Sequence, residues 1–312
     1  MAEIGISRLV KSQEKHASQP QARFFYGWWM VLAGTAILFV SSGIGFYGHG
    51  VILDPLRSAH GWSKATISSA ITLYFFATGI IGLLIGRLID KYGPKWILVI
   101  GSMLFGLGFI FLSMITKIWQ LYAVYLFLSI GFCCTSLVSV NTLITNWFIR
   151  RRGFALSLTN TGLSLGGIVL VPLASWAVAN WGLQMALPVL GVIFWMVITP
   201  TALFFIKQRP ADVNQFPDGI EEVSVSAAKM SSTLNYAAQM QAWTRARAIK
   251  TVAFWAIVGS FMMALGGQIA FLVHQVSFLS QYLGRAGAAT AVSITAAMNL
   301  LPTAWFTFID TR

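Results

Sequence analysis

Long apolar runs separated by short polar segments are the dominant pattern along this chain. The stretch 66–85 contains no charged side chain, and its roughly 20 residues match the length at which a helix rising 1.5 Å per residue crosses about 30 Å of hydrocarbon. The pattern therefore predicts an all-α integral membrane protein with eight spans. They are placed at about residues 25–47, 66–88, 97–115, 120–144, 154–178, 185–206, 251–280 and 287–309.

Composition supports the same fold class. Hydrophobic residues make up 57% of the chain, charged residues only 10%, and the mean hydropathy is +0.73, whereas soluble domains carry roughly 25% charged residues. The net charge of +12 is compatible with nucleic-acid binding, but the basic residues lie in loops beside the apolar runs. We therefore expect the lipid bilayer, and no nucleic acid, as the partner of these charges.

The basic residues also predict the orientation of the chain. With the N-terminus in the cytoplasm, 17 Lys and Arg residues fall in inner segments and only 4 in outer segments. Such an asymmetry is typical of multi-pass membrane proteins. Residues 1–23 are polar and mixed in charge, so we expect a retained first span and no cleaved signal peptide.

The spans divide the chain into four predicted regions. Residues 1–24 form a cytoplasmic segment, 25–206 a six-helix bundle, 207–250 a cytoplasmic linker that becomes helical near 237–250, and 251–312 the first two helices of a second bundle. The end of the chain, with Asp310 and Arg312, repeats the charged helix end at Asp90. A second bundle of six spans would be incomplete here, so we expect a truncated chain, with a natural short form as the alternative.

The segment 82–95 places charges where the second span ends. It resembles the loop 2–3 motif of the major facilitator superfamily, Gly-x-x-x-Asp-Arg/Lys-x-Gly-x-Lys/Arg. The resemblance implies the fold of that superfamily, with two rocking bundles, and a conformational latch on the inner face in which Asp90 accepts backbone amides or pairs with nearby arginines. The alternative is that these charges only set topology. The latch residues are Gly86, Arg87, Asp90, Lys91, Gly93, Lys95, Arg150, Arg151 and Arg152.

A second stretch, 146–167, is similar to the monocarboxylate and oxalate/formate transporter branch of that superfamily. The similarity is carried by Trp147-Phe148, a basic triplet, Gly153 and Ala155, and by the motifs at 25–29 and 61–63. It implies a secondary or facilitative transporter for a small carboxylate in a bacterial inner membrane. The alternatives are a transporter of another small solute and a non-transporting, receptor-like or inactive protein.

Polar residues deep in the spans are the candidates for a substrate cavity, because they are costly against lipid. For each of them, helix–helix contact is an alternative role. They are Tyr47, Asn141, Asn160, Thr161, Gln268, His274 and Gln275. The first seven predicted spans contain no Asp or Glu, and the arginine that the branch places in the eighth span is replaced by Pro302.

Other chemistry is not indicated by the sequence. The histidines are scattered, the two cysteines are adjacent, and no catalytic or metal-ligand spacing occurs. We therefore expect no enzyme activity, no cofactor and no metal. Two glycine pairs, Gly82 with Gly86 and Gly162 with Gly166, predict close approach of helix backbones.

Overall fold

The computed structural model describes residues 25–213, 215–219 and 249–298, and every regular element within these ranges is a helix. The first four are α1 (Gly27–His60), α2 (Lys64–Tyr92), α3 (Pro94–Ser113) and α4 (Ile118–Trp147). The segment Arg152–Phe205 is divided into α5 (152–181) and α6 (183–205) by Gly182, whose φ is 73°. Gly284, with φ 70°, likewise divides Val252–Met298 into α7 (252–283) and α8 (285–298).

These helices confirm the predicted all-α membrane fold. They follow the eight predicted spans in order, and the part of the last span beyond residue 298 lies outside the described residues. The segment 1–24 also lies outside them, as does most of the predicted helical end of the linker. Residues 210–213 and 217–219 form short 3₁₀ turns.

Local sequence explains where α2 begins and ends. The Ser63 hydroxyl accepts a hydrogen bond from the backbone N–H of Thr66 at 3.1 Å and caps the first turn. Gly93 has φ 81°, a conformation that favours glycine, and ends the helix. Pro94 then occupies the first turn of α3, where its missing N–H carries no penalty. The motif glycine at 93 therefore makes the sharp turn between two spans.

Helix α1 is longer than the predicted first span, which ended at residue 47. It passes through a π-helical stretch, Ser41–Phe46, and continues as an α-helix over Gly48–His60. Apolar residues of this second part are buried, while Asp54 and Arg57 lie on its more exposed side. A span predicted from hydropathy ends before these charged residues, but the amphipathic helix continues through them. Asp54 thus lies inside a helix, which corrects the expectation of no acidic residue in the first seven spans.

Small residues bring α1 and α5 into direct backbone contact. A Cβ atom on Gly166 would collide with the carbonyl oxygen of Phe39 and lie 2.9 Å from the backbone nitrogen of Gly43. Gly162 lies against the Thr35 carbonyl in the same way. The close approach predicted for this pair is therefore confirmed.

The other predicted glycine pair behaves differently. A Cβ on Gly86 would meet nothing within 4 Å, and one on Gly82 would meet only the Cys133 sulfur at 3.7 Å. The expectation of close backbone contact at Gly82 and Gly86 is wrong for the described residues, because this side of α2 has no helix backbone packed against it.

Large apolar side chains cover the outside of the bundle. Phe76 is 67% exposed, Leu83 76%, Met185 66% and Met196 67%. Such a belt is unfavourable in water, whereas hydrocarbon is an equally apolar solvent for it. The exposed apolar surface is therefore what a bilayer-embedded protein requires.

Candidate functional site

The two ends of the helical bundle differ in charge. One end carries Arg87, Lys95 and Arg150–Arg152, and we call it the basic end. The other, the opposite end, contains the loops after α1 and α3, which are joined where a ring nitrogen of His60 meets the Ile115 carbonyl at 2.9 Å.

Helices α7 and α8 join the six-helix bundle near its opposite end. The Lys64 ammonium donates to the Ser277 hydroxyl at 2.7 Å, and that hydroxyl donates to the Asp54 carboxylate at 3.1 Å. In α8, the Ser293 hydroxyl donates to the Ile168 carbonyl of α5 at 2.9 Å. We call this contact region the seam. It links the first part of the chain to the second through two serine hydroxyls, one of which bridges charged side chains, and through buried apolar side chains such as Val276 and Val292.

The seam does not continue along α7 toward the basic end. Val273, Gln275 and Val276 are buried. Residues 255–268 of the same helix are exposed and do not pack against the bundle. Among the described residues, the two parts of the chain therefore meet near the opposite end and separate toward the basic end.

The predicted cavity residues fall into two groups. Asn141, Asn160 and Gln275 hold buried polar side-chain atoms without a hydrogen-bond partner among the described residues. Because an unpaired buried polar atom costs about 1–3 kcal/mol, these three side chains are the best placed to receive a ligand or water.

The other predicted cavity residues are placed less favourably. Thr161 donates to the Leu158 carbonyl of its own helix at 2.7 Å, and Tyr47 packs edge-on against Phe46. Gln268 and His274 are exposed. The structure therefore does not bring the seven candidates together into one described cavity.

His49 is a buried polar residue that the sequence analysis missed. Its side chain is fully buried and lies among aromatic rings of α2 and α4, with ring centroids 4.5 Å from Tyr74 and 5.4 Å from Tyr125. Both imidazole nitrogens and the Tyr125 hydroxyl lack a hydrogen-bond partner among the described residues. The nearby Gly45 carbonyl already accepts the Tyr74 hydroxyl at 2.8 Å. The Gly48-His49-Gly50 sequence was the available signal, but the predicted first span ended just before it.

At the basic end, the helix start before α5 is capped by the linker. One oxygen of the Asp218 carboxylate accepts the backbone N–H groups of Ile149 and Arg150 at 2.9 and 2.7 Å. Sequence reasoning had expected Asp90 to accept such amides or to pair with Arg87 or with 150–152. The Asp90 carboxylate is exposed and forms no hydrogen bond or ion pair with another described residue, so its latch role stays a prediction.

Other contacts tie the end of α6 and the first residue of the linker to this end. The Lys95 ammonium donates to the Leu203 carbonyl at 2.8 Å, and the Trp147 indole donates to the Lys207 carbonyl at 3.1 Å. The Tyr26 hydroxyl donates to the Phe205 carbonyl at 2.9 Å. Lys91 lies 5.0 Å above the Tyr92 ring.

Several curated proteins are similar in sequence to this chain over part of their length. It is 35% identical over 150 residues to MFS-type transporter 1 of Ophiocordyceps sp., covering 46% of this chain and 32% of that protein. It is 25% identical over 185 residues to the uncharacterized MFS-type transporter YcxA of Bacillus subtilis, covering 58% and 45%. It is 26% identical over 171 residues to the oxalate:formate antiporter of Oxalobacter formigenes, covering 55% and 40%. The match spans about a third to a half of these relatives.

A family model gives the broader assignment. Residues 35–309 match the model of the Major Facilitator Superfamily. This range includes every helix described above except the first turns of α1. The chain therefore belongs to the Major Facilitator Superfamily of transporters.

Proposed function

We propose that this protein carries a small carboxylate across a membrane by alternating access, either as an exchanger or as a facilitative carrier. The observation that carries the proposal is the uneven contact between the two parts of the chain. The seam joins them near the opposite end, while α7 separates from the six-helix bundle toward the basic end. A carrier with one side closed and the other open has this arrangement.

The excess of basic residues in the predicted inner segments indicates which end of the bundle faces the cytoplasm. If the basic end is cytoplasmic, the described conformation is closed outside and open inside. The unpaired amide oxygens of Asn141 and Asn160 and the unpaired amide group of Gln275 are then the candidates for the transport site. Gln275 belongs to α7, so a ligand between it and the first bundle would contact both moving parts.

The substrate class is the finer part of the proposal. It is supported by the resemblance of 146–167 to carboxylate carriers and by the named activity of the Oxalobacter relative. A second candidate is a neutral polar solute, which is favoured because the three candidate side chains with unpaired buried polar atoms are uncharged amides. Bacterial and fungal proteins both occur among the relatives, so the bacterial inner membrane also remains a proposal.

The loop after α2 is proposed as a latch of the inner face. Asp90 is unpaired in the conformation described, in which the basic end is open. Closure of that end would bring the carboxylate close to new donors, and its charge would stabilise the closed form. The latch thus requires Asp90 to be unpaired in one state and paired in the other.

Transport by the protein expressed from its complete gene tests the proposal. Proteoliposomes loaded with unlabelled oxalate, formate or lactate should accumulate the labelled compound by counterflow, and the rate should saturate. Asp90→Asn should lower the rate severalfold with normal insertion into the membrane. Asp212→Asn should not, because this exposed carboxylate of the linker accepts only the backbone N–H of Arg209 within its own turn. If no carboxylate shows counterflow and a neutral solute is taken up, the substrate is a neutral polar solute and the carboxylate proposal is wrong.

A further inference from the structure

A cavity of about 860 Å³ lies at the opposite end, beside the seam. Residues of α1, the start of α2, α5 and α7 line it, so it adjoins the junction between the two parts of the chain. The lining that matters for recognition comprises Asp54, Arg57, Trp62, Lys64, Val178 and Ser277. This volume is in the range of small-molecule sites.

The charged groups of this cavity are not equally engaged. Lys64 and Asp54 are linked through the Ser277 hydroxyl at 2.7 and 3.1 Å. The Arg57 side chain is exposed and forms no hydrogen bond or ion pair with another described residue, while its backbone carbonyl accepts the Gly61 N–H at 2.9 Å. Its guanidinium therefore offers a planar fork of donors, the geometry that suits a carboxylate.

The walls add an apolar component. Val51, Val178 and Val276 line the cavity and are buried. Trp62 stacks on His60 with ring centroids 4.4 Å apart and an interplanar angle of 22°, which fixes an indole at the cavity wall. These surfaces suit a short hydrocarbon part of a ligand.

We propose that this cavity is an outer docking site for a small monocarboxylate, in which Arg57 binds the carboxylate and Lys64 supplies a second positive charge. The proposal deepens the proposed function and rests on it for the biological role of the ligand. The two cations and Asp54 leave one net positive charge in the lining. A single carboxylate balances that charge, whereas a dianion such as oxalate would bring its second charge near Asp54 and leave the site with one negative charge in excess.

Binding and transport measured on the same variants test this site. Ligand-detected NMR on the detergent-purified protein should show lactate binding that Arg57→Gln weakens at least about tenfold, since a hydrogen bond to a charged group is lost. Arg57→Lys should retain part of the binding, because it keeps the charge without the fork. Lys117→Gln is the matched control, since it removes a positive charge from the same end outside the cavity, and it should change binding less than twofold.

Two results would overturn the docking site. One is equal lactate binding by Arg57→Gln and Lys117→Gln, and the other is tighter binding of oxalate than of lactate to the unaltered protein. In vesicles, Arg57→Gln should raise the KM for lactate with little change in kcat, because docking precedes the transport step. Normal lactate transport by Arg57→Gln would reject the site and leave the proposed function intact. Arg57-dependent binding without transport of any carboxylate would support the site and reject the proposed function.

Discussion

Gly166→Ala provides the most direct test of the packing that holds the first bundle together. The added methyl group would point into the backbone of α1, against the Phe39 carbonyl oxygen and 2.9 Å from the Gly43 nitrogen. A carbon and a carbonyl oxygen normally lie about 3.3–3.6 Å apart. The Ser42 hydroxyl would also be in the way. Because two of the three neighbours are backbone atoms, a rotamer change does not relieve the collision, and α1 and α5 must separate by about 1 Å.

The energetic consequence follows from overpacking. Inserting a methyl group into a well-packed contact costs about 1–3 kcal/mol, and separation also strains the hydrogen bond of 2.6 Å from the Ser42 hydroxyl to the Leu163 carbonyl. We expect a loss of about 2 kcal/mol or more in the free energy of unfolding, or roughly 30-fold in the ratio of folded to unfolded protein.

The chain carries its own probe for this measurement. Cys133 and Cys134, its two cysteines, are 2% and 4% exposed, so a thiol-reactive fluorophore reports unfolding in detergent. Gly79→Ala is the matched control, because a Cβ there meets nothing within 4 Å and alanine favours a helix by about 1 kcal/mol. If Gly166→Ala unfolds at the same temperature as Gly79→Ala, the backbone contact between α1 and α5 contributes nothing to stability and the reasoning fails.

Three further predictions concern polar groups. Asp218→Asn should lower the free energy of unfolding by about 0.5–2 kcal/mol, since its carboxylate caps two backbone amides. In the same thiol assay, Asp90→Asn should leave the free energy of unfolding unchanged. His49→Phe should leave that free energy unchanged or raise it by about 1 kcal/mol, because two unpaired nitrogens are removed; a marked loss would show that the imidazole bonds the nearby carbonyl. Ser277→Ala should open the seam and increase labelling of a cysteine introduced at Val276 by an impermeant maleimide, and unchanged labelling would argue against the seam as a closure.

The helices were predictable because hydrocarbon imposes both their length and their apolarity. The runs at 97–115 and 120–144 became α3 and α4 with shifts of a few residues. The second part of α1 was not predictable in this way, because mean hydropathy averages the buried and the exposed faces of a helix. Its buried side continues past Asp54, and only packing against neighbouring helices shows that the helix goes on to residue 60.

The site was harder to predict than the fold. The glycine pairs at 82 and 86 and at 162 and 166 have the same spacing, yet only the second pair contacts another backbone. Likewise, Asp90 lies in the motif and Asp218 in the linker, but the linker carboxylate is the one that caps the helix start. Spacing along one helix identifies a small or charged face. It does not identify the partner of that face, which depends on contacts between residues far apart in the sequence.

The contacts within the first bundle and those across the seam differ in a way that bears on rocking. Within the bundle, the backbones of α1 and α5 touch at Gly162 and Gly166. Separating these two helices would lose their van der Waals contacts without forming new ones. Across the seam, one serine hydroxyl stands between Lys64 and Asp54, and each hydrogen bond there contributes net stability of only about 1–3 kcal/mol. Water or a ligand carboxylate can replace those bonds once the seam opens. The hydroxyl-mediated bonds of the seam can therefore be exchanged for bonds to water or ligand, whereas the backbone contact within the first bundle cannot. Opening the seam would also expose the buried side chains of Val273 and Val276, so the proposed rocking motion has an apolar cost as well as a polar one.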